Sequence, residues 1–138
     1  MPFGTFTRRA ALALAMAVPL GIGSAAAGDF YSHNGSTMEL FSNGNSVSIV
    51  YANPKSSLRR LGVRPGTVLF RGRYSGRGPT GTAYVFRSGC RPAGYNVEGP
   101  ITATGIYLKG AAPIRPRGSC NVSNYSWNSG NAELNFYN

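Results

Sequence analysis

The chain predicts an all-β fold, a small antiparallel β-barrel or sandwich of about seven or eight short strands, closed by one disulfide and preceded by a signal peptide. Three observations carry this expectation. Beyond residue 27, apolar and polar residues alternate at a period of two, and helical periodicity is nearly absent. Clusters of Gly, Pro and Asn interrupt the alternating runs at short intervals, as turns between strands do. The chain also holds just two cysteines, Cys90 and Cys120.

The first 27 residues have the layout of a secretory signal. Arg8 and Arg9 form the charged region, an apolar run spans residues 10–22, and Ser24-Ala25-Ala26-Ala27 supplies small residues for cleavage before Gly28. A membrane span is a poorer reading, because the run falls short of the roughly 18 to 20 residues required. Pro19 and Gly21 also interrupt it. Thr7-Arg8-Arg9 with Ala11 and Leu12 fits a loose twin-arginine signal too. Paired arginines are common in ordinary signals, so the general secretory route is favoured. The expected organisation is a signal peptide over 1–27 and a single all-β domain over 28–138, long enough for one core. No transmembrane segment is expected in the mature part, and the expected location is periplasmic or secreted, as for a bacterial protein. In such an oxidising compartment an isolated pair such as Cys90 and Cys120 is most simply a disulfide, worth about 3 to 4 kcal/mol.

Along the mature part, Met38 and Leu40 share one face of a short strand. Ser42-Asn43-Gly44-Asn45 supplies a turn, and Val47, Ile49 and Tyr51 alternate in the next run, so a hairpin is expected. Residues 53–66, with Pro54, Pro65 and four basic residues, break the pattern and predict a long connection with one helical turn around residues 58–61. Alternation then resumes. Val68, Phe70, Gly72 and Tyr74 fall on one side, and Leu69, Arg71 and Arg73 on the other, with the arginines facing solvent. A Gly/Pro turn over 76–81 leads into Thr82, Tyr84 and Phe86 alternating with Ala83, Val85 and Arg87, which predicts a second hairpin. Further strands are expected around 95–97, 106–109 and 134–136. Hairpin links outnumber long crossovers, and closure removes unpaired edges, so a barrel is preferred to a sandwich.

Three groups of residues carry a resemblance. Gly62-Val63-Arg64-Pro65-Gly66-Thr67-Val68-Leu69-Phe70, then Gly81-Thr82-Ala83-Tyr84-Val85-Phe86 with Cys90, and the early His33-Asn34-Gly35-Ser36 resemble a group of small exported bacterial proteins, alphaproteobacterial in type, without an assigned activity. Gly110-Ala111-Ala112-Pro113 and Cys120 extend the likeness over most of the mature chain. The resemblance implies an extracytoplasmic β-domain with the two cysteines paired, and it supplies no catalytic residues.

Catalytic chemistry is sparse. His33 is the one imidazole, and a hydrolytic centre would have to use it with Glu39 or a nearby serine. A turn or the start of a strand explains its polar surroundings more simply. Asp29, Glu39, Glu98 and Glu133 are the only acids, and Asp29 stands at a start that reads as disordered. The three glutamates sit in alternating strands opposite the expected core residues, which fits solvated charges better than a pair working across a glycosidic bond. No spacing of ligands for a metal occurs. The Gly-rich stretch 72–81 lacks the Lys-Ser/Thr ending of a phosphate loop and runs into a strand. No metal and no cofactor is expected.

Charge is the unusual property. The chain carries a formal net charge of +10. Loss of Arg8 and Arg9 from its 14 basic residues leaves twelve against four acids, or +8. Nine of those twelve fall between Glu39 and Glu98, where there is no acid. If the long connection folds over the second hairpin, Arg59, Arg60, Arg71, Arg73 and Arg87 form one positive face, whose planar guanidinium groups suit phosphate and carboxylate oxygens. The simpler account is that these charges keep the domain soluble, with arginine usage following a GC-rich genome. Aromatic residues gather in the second half, mostly as expected core. Tyr125-Ser126-Trp127-Asn128 is polar enough to offer Tyr125 and Trp127 as a surface contact for a glycan or a protein.

The leading expectation is therefore a non-enzymatic exported domain that binds an anionic envelope component or a protein partner through its arginine face. Nucleic acid is not the usual partner outside the cytoplasm. Alternatives are an inhibitor of a lysozyme-like enzyme, a small hydrolase using His33, and a structural domain without a ligand. The positive charge argues against the inhibitor, since basic lysozymes call for an acidic partner.

Overall fold

In the computed structural model, which describes residues 28–138, the alternating runs become eleven strands and one short helix. The signal peptide expected over 1–27 lies outside the described residues. The strands are β1 (Asp29–His33), β2 (Ser36–Asn43), β3 (Ser46–Asn53), β4 (Val68–Ser75), β5 (Gly78–Val85), β6 (Ala93–Glu98), β7 (Ile101–Thr102), β8 (Gly105–Lys109), β9 (Ala112–Ile114), β10 (Asn124–Ser126) and β11 (Glu133–Tyr137). The helix α1 covers Ser56–Arg59.

Eight strands close an antiparallel barrel. β1 to β6 form a continuous meander, β8 follows β6, β11 follows β8, and Ser32 opposite Tyr137 brings β11 back to β1. β7 makes a small hairpin on β8, while β9 and β10 form a separate two-stranded ribbon. Hairpin chemistry sets the meander. Asn34 and Gly35, with φ of 46° and 87°, form the two-residue turn between β1 and β2. Both positions need positive φ to match strand twist, which is why Asn-Gly serves there.

The period-two pattern fills the barrel. Met38, Val47, Ile49, Phe70, Ile106, Leu108 and Phe136 are almost wholly buried in one core. At one point β4 and β5 approach closely: Gly72 faces Gly81, and the Phe70 ring lies against the inner face of Gly72. A Cβ on Gly72 would run into the Thr80 carbonyl, so the barrel wall can curve here only without side chains.

Four expectations are corrected. Asp29 does not begin a disordered tail; it opens β1, whose pairing with both β2 and β11 completes the barrel. Leu69 does not share the exposed side of Arg71 and Arg73. A register shift between β3 and β4 sets Ile49 opposite Phe70 but Val50 opposite Val68, and this irregularity lets Leu69 and Phe70 both be buried. The second turn is only Gly76-Arg77, because Gly78–Val85 already pairs with β4 from Ser75 opposite Gly78. The helical turn covers Ser56–Arg59, starting two residues before the expected 58–61 and overlapping it.

Antiparallel order sorts the connections to two ends. The Gly44-Asn45, Gly76-Arg77 and Gly99-Pro100 links lie at one. The Asn34-Gly35 turn, residues 54–67 and residues 86–92 lie at the other. Segment 54–67 plugs this second end: Val63 is buried in the core and Leu58 packs against it. Cys90 and Cys120 are disulfide-bonded, with Cα atoms 5.3 Å apart, and the bridge ties the loop after β5 to the loop after β9. Among the described residues no helix is long and apolar enough to cross a membrane.

Candidate functional site

The plugged end of the barrel gathers positive charge. Lys55, Arg59, Arg60 and Arg64 come from the 54–67 segment, and Arg87 and Arg91 from the loop after β5. Arg115 and Arg117 follow β9, where Arg115 Nη2 donates to the Arg91 carbonyl and Arg87 Nη1 donates to the Pro116 carbonyl, 2.8 Å away. Eight of the twelve basic residues in 28–138 thus occupy these loops, and none of the four acids does. The two sources meet where Tyr51 and Phe86 stack edge to face, 6.1 Å between centroids.

This arrangement corrects the five-arginine face. Segment 54–67 enters the barrel mouth instead of lying over the β4–β5 hairpin, because burial of Val63 in the core and packing of Leu58 against it draw it inward. Arg59 and Arg60 therefore sit at the end, while Arg71 and Arg73 project from the side wall on β4, both exposed. Arg87 is at the same end but is committed to structure. Its Nη1 also donates to Ser119 O at 2.6 Å, and its Nη2 to Arg115 O at 3.2 Å. Arg59 is braced similarly, by the Pro54 carbonyl at 2.9 Å and Asn53 Oδ1 at 2.7 Å. Arg60, Arg91 and Arg117 are exposed. Among the described residues, the Nε and Nη1 of Arg115 are buried without a hydrogen-bond partner.

His33 is a lining residue of the core. Its ring stacks on Phe136, and Nδ1 donates to the Asn135 carbonyl at 2.8 Å. Burial holds its pKa below the usual 6.5 and outweighs the opposing effect of the Asn135 bond. Glu39, the acid considered with it, instead accepts a bond from the Gly28 N–H at 3.1 Å, and the buried Ser36 Oγ accepts from the Lys55 N–H at 2.9 Å. The residues named for a hydrolytic centre are thus each engaged elsewhere. Among the described residues no group of three or more His, Cys, Asp or Glu stands ready for a metal ion.

A second feature lies on the outside of the barrel, where the β9–β10 ribbon stands beside β5 and β6. Between them runs an open groove of about 970 Å³. Tyr125 and Trp127, 56% and 67% exposed, form part of its lining. Facing positions come from Thr80 and Thr82 on β5 and Asn96 and Glu98 on β6, the outward members of those strands. Gly94, Gly110 and Ala111 keep the lining low. Tyr95 points inward, its hydroxyl donating to the Asn131 carbonyl at 2.5 Å, with burial raising its pKa. That bond ties β6 to the segment that follows Trp127.

No family model, curated protein or solved structure matches this chain.

The sequence singled out Tyr125 and Trp127 through the polar residues around their rings in Tyr125-Ser126-Trp127-Asn128. It missed the opposite side of the groove. Thr80, Asn96 and Lys109 are unremarkable as letters, and they come together through the pairing of β6 with β5 and β8.

Proposed function

We propose that this chain is an exported, non-enzymatic binding domain, periplasmic or secreted, that holds an anionic component of the cell envelope at the basic end of its barrel. The observation that carries the reading is the segregation of eight cationic side chains, with no acid, onto the loops of one end. Such an end attracts polyanions over about a Debye length, roughly 8 to 10 Å at physiological salt. Exposed Arg60, Arg91 and Arg117 offer forked donors to phosphate or carboxylate, whereas Arg59 and Arg87 hold the loops that present them. The disulfide, which pins two of those loops together, suits an oxidising compartment. The engagement of His33 with Phe136 and Asn135 supports a binding role over hydrolysis.

Co-sedimentation of the purified protein with cell-wall and outer-membrane fractions tests this reading. Retention at low salt, release at high salt, and loss of retention in the triple variant Arg60→Glu, Arg91→Glu, Arg117→Glu are expected. The side-wall variant Arg71→Glu, Arg73→Glu should be retained nearly as well as the parent. Absence of retention at low salt would overturn the proposal.

A further inference from the structure

We infer that the groove beside Tyr125 and Trp127 is a binding site for a neutral pyranose oligosaccharide, separate from the basic end. Two large aromatic side chains exposed by more than half, close together and lining one concave surface, are costly to leave in water without a use. Neither ring is stacked on another aromatic residue among the described residues. Tyr and Trp offer flat apolar faces with a polar edge. A pyranose ring is the complementary object, since its axial C–H groups form an apolar face and its hydroxyls project around the rim.

The rest of the lining supplies what that rim needs. Thr80 and Thr82 bring hydroxyls, Asn96 an amide that both donates and accepts, and Glu98 and Lys109 an acceptor and a donor. The aliphatic groups near the groove are spent elsewhere: Val97 is 3% exposed and belongs to the core, so an apolar peptide side chain would find little to bury against. β5 and β6 pair with each other from Thr80 opposite Glu98 to Val85 opposite Ala93, so a peptide strand cannot insert between them. Gly94 adds no side chain to the lining. The volume is at the upper end of the roughly 300 to 1,000 Å³ typical of small-ligand sites, enough for more than one sugar ring.

Charge selects a neutral chain over an acidic one. Lys109 lies opposite Glu98 on one side and Glu133 on the other, and Arg77 reaches Glu98 at 3.6 Å. Of these, Glu98 and Lys109 line the groove itself, one charge of each sign. The groove thus lacks the positive excess of the barrel end.

The chain contains one tryptophan, Trp127, so its fluorescence reports on this groove alone. The purified protein is titrated with an N-acetylglucosamine tetrasaccharide, cellotetraose and maltotetraose at millimolar concentrations. A saturable emission shift with at least one of them is expected, little changed by added salt and retained in the Arg60→Glu, Arg91→Glu, Arg117→Glu variant. By calorimetry, Trp127→Ala should abolish binding of that sugar, and Tyr125→Ala and Asn96→Ala should each weaken it about tenfold. Thermal midpoints should stay unchanged, because all three side chains are exposed. Absence of a saturable shift with all three sugars would overturn the inference. So would undiminished affinity in Tyr125→Ala and Asn96→Ala, or a shift produced by a proline-rich peptide and by none of the sugars. Salt-sensitive envelope retention without sugar binding would leave the basic-end proposal standing and this one refuted.

Discussion

His33 lies on Phe136 with ring centroids 4.5 Å apart and planes 26° apart. The contact joins β1 to β11 at the seam where the barrel closes. Ser32 opposite Tyr137 is the one residue pair in register there, and the bond from His33 Nδ1 to the Asn135 carbonyl adds a side-chain link to it. A buried imidazole thus stands in for part of a backbone ladder.

The seam makes stability depend on pH. The unfolded chain takes up a proton at His33 near pH 6.5, whereas burial depresses the folded-state pKa below that value. The contribution is therefore complete above the unfolded pKa and is lost as pH falls from there toward the folded pKa. Urea midpoints should drop between about pH 8 and pH 5, and the drop should shrink in His33→Gln. An equal decline in that variant would assign the effect to other groups.

Removing the bridge with Cys90→Ala and Cys120→Ala should cost about 3 to 4 kcal/mol, since a 30-residue separation is released in the unfolded chain. Denaturant unfolding with and without reductant measures this. The parent under reducing conditions should approach the double variant.

Gly72→Ala should destabilise by about 1 to 3 kcal/mol, because its Cβ meets the Thr80 carbonyl and the Phe70 ring. Gly76→Ala is the control. Among the described residues nothing lies within 4 Å of a Cβ there, so its stability should move by no more than about 0.5 kcal/mol.

Arg87→Ala should cost about 2 kcal/mol or more by leaving three carbonyls, those of Arg115, Pro116 and Ser119, without their charged donor. Arg60→Ala, at an exposed position, should be nearly neutral in stability. If both prove neutral, Arg87 is not the brace that its three contacts indicate.

Much of the meander was legible because its signals are local. Asn43-Gly44-Asn45 and the alternation of Val47, Ile49 and Tyr51 specify a turn and a strand within a few residues. Leu69 escaped that logic, since a bulge is set by the neighbouring strand and not by the bulged residue's own identity. The strand of Asp29 escaped it too. Phe30 and Tyr31 show little alternation, and their ordering comes from partners on both sides of β1. Likewise, Arg59 and Arg71 are close in sequence, yet one is carried to the barrel end by Val63 and the other stays on the side wall.

The sequence by itself determined that this chain is built from antiparallel strands, where several of its turns fall, and that Cys90 and Cys120 form a pair. Period and turn chemistry act over a handful of residues, and no third cysteine competes. Only the tertiary structure decided that the sheet closes, that Glu98 and Lys109 come to lie beside Trp127, and that His33 lies on Phe136. Those relationships join positions as far apart as the 102 residues between His33 and Asn135. Burial of a shared core, and not any local preference, selects them.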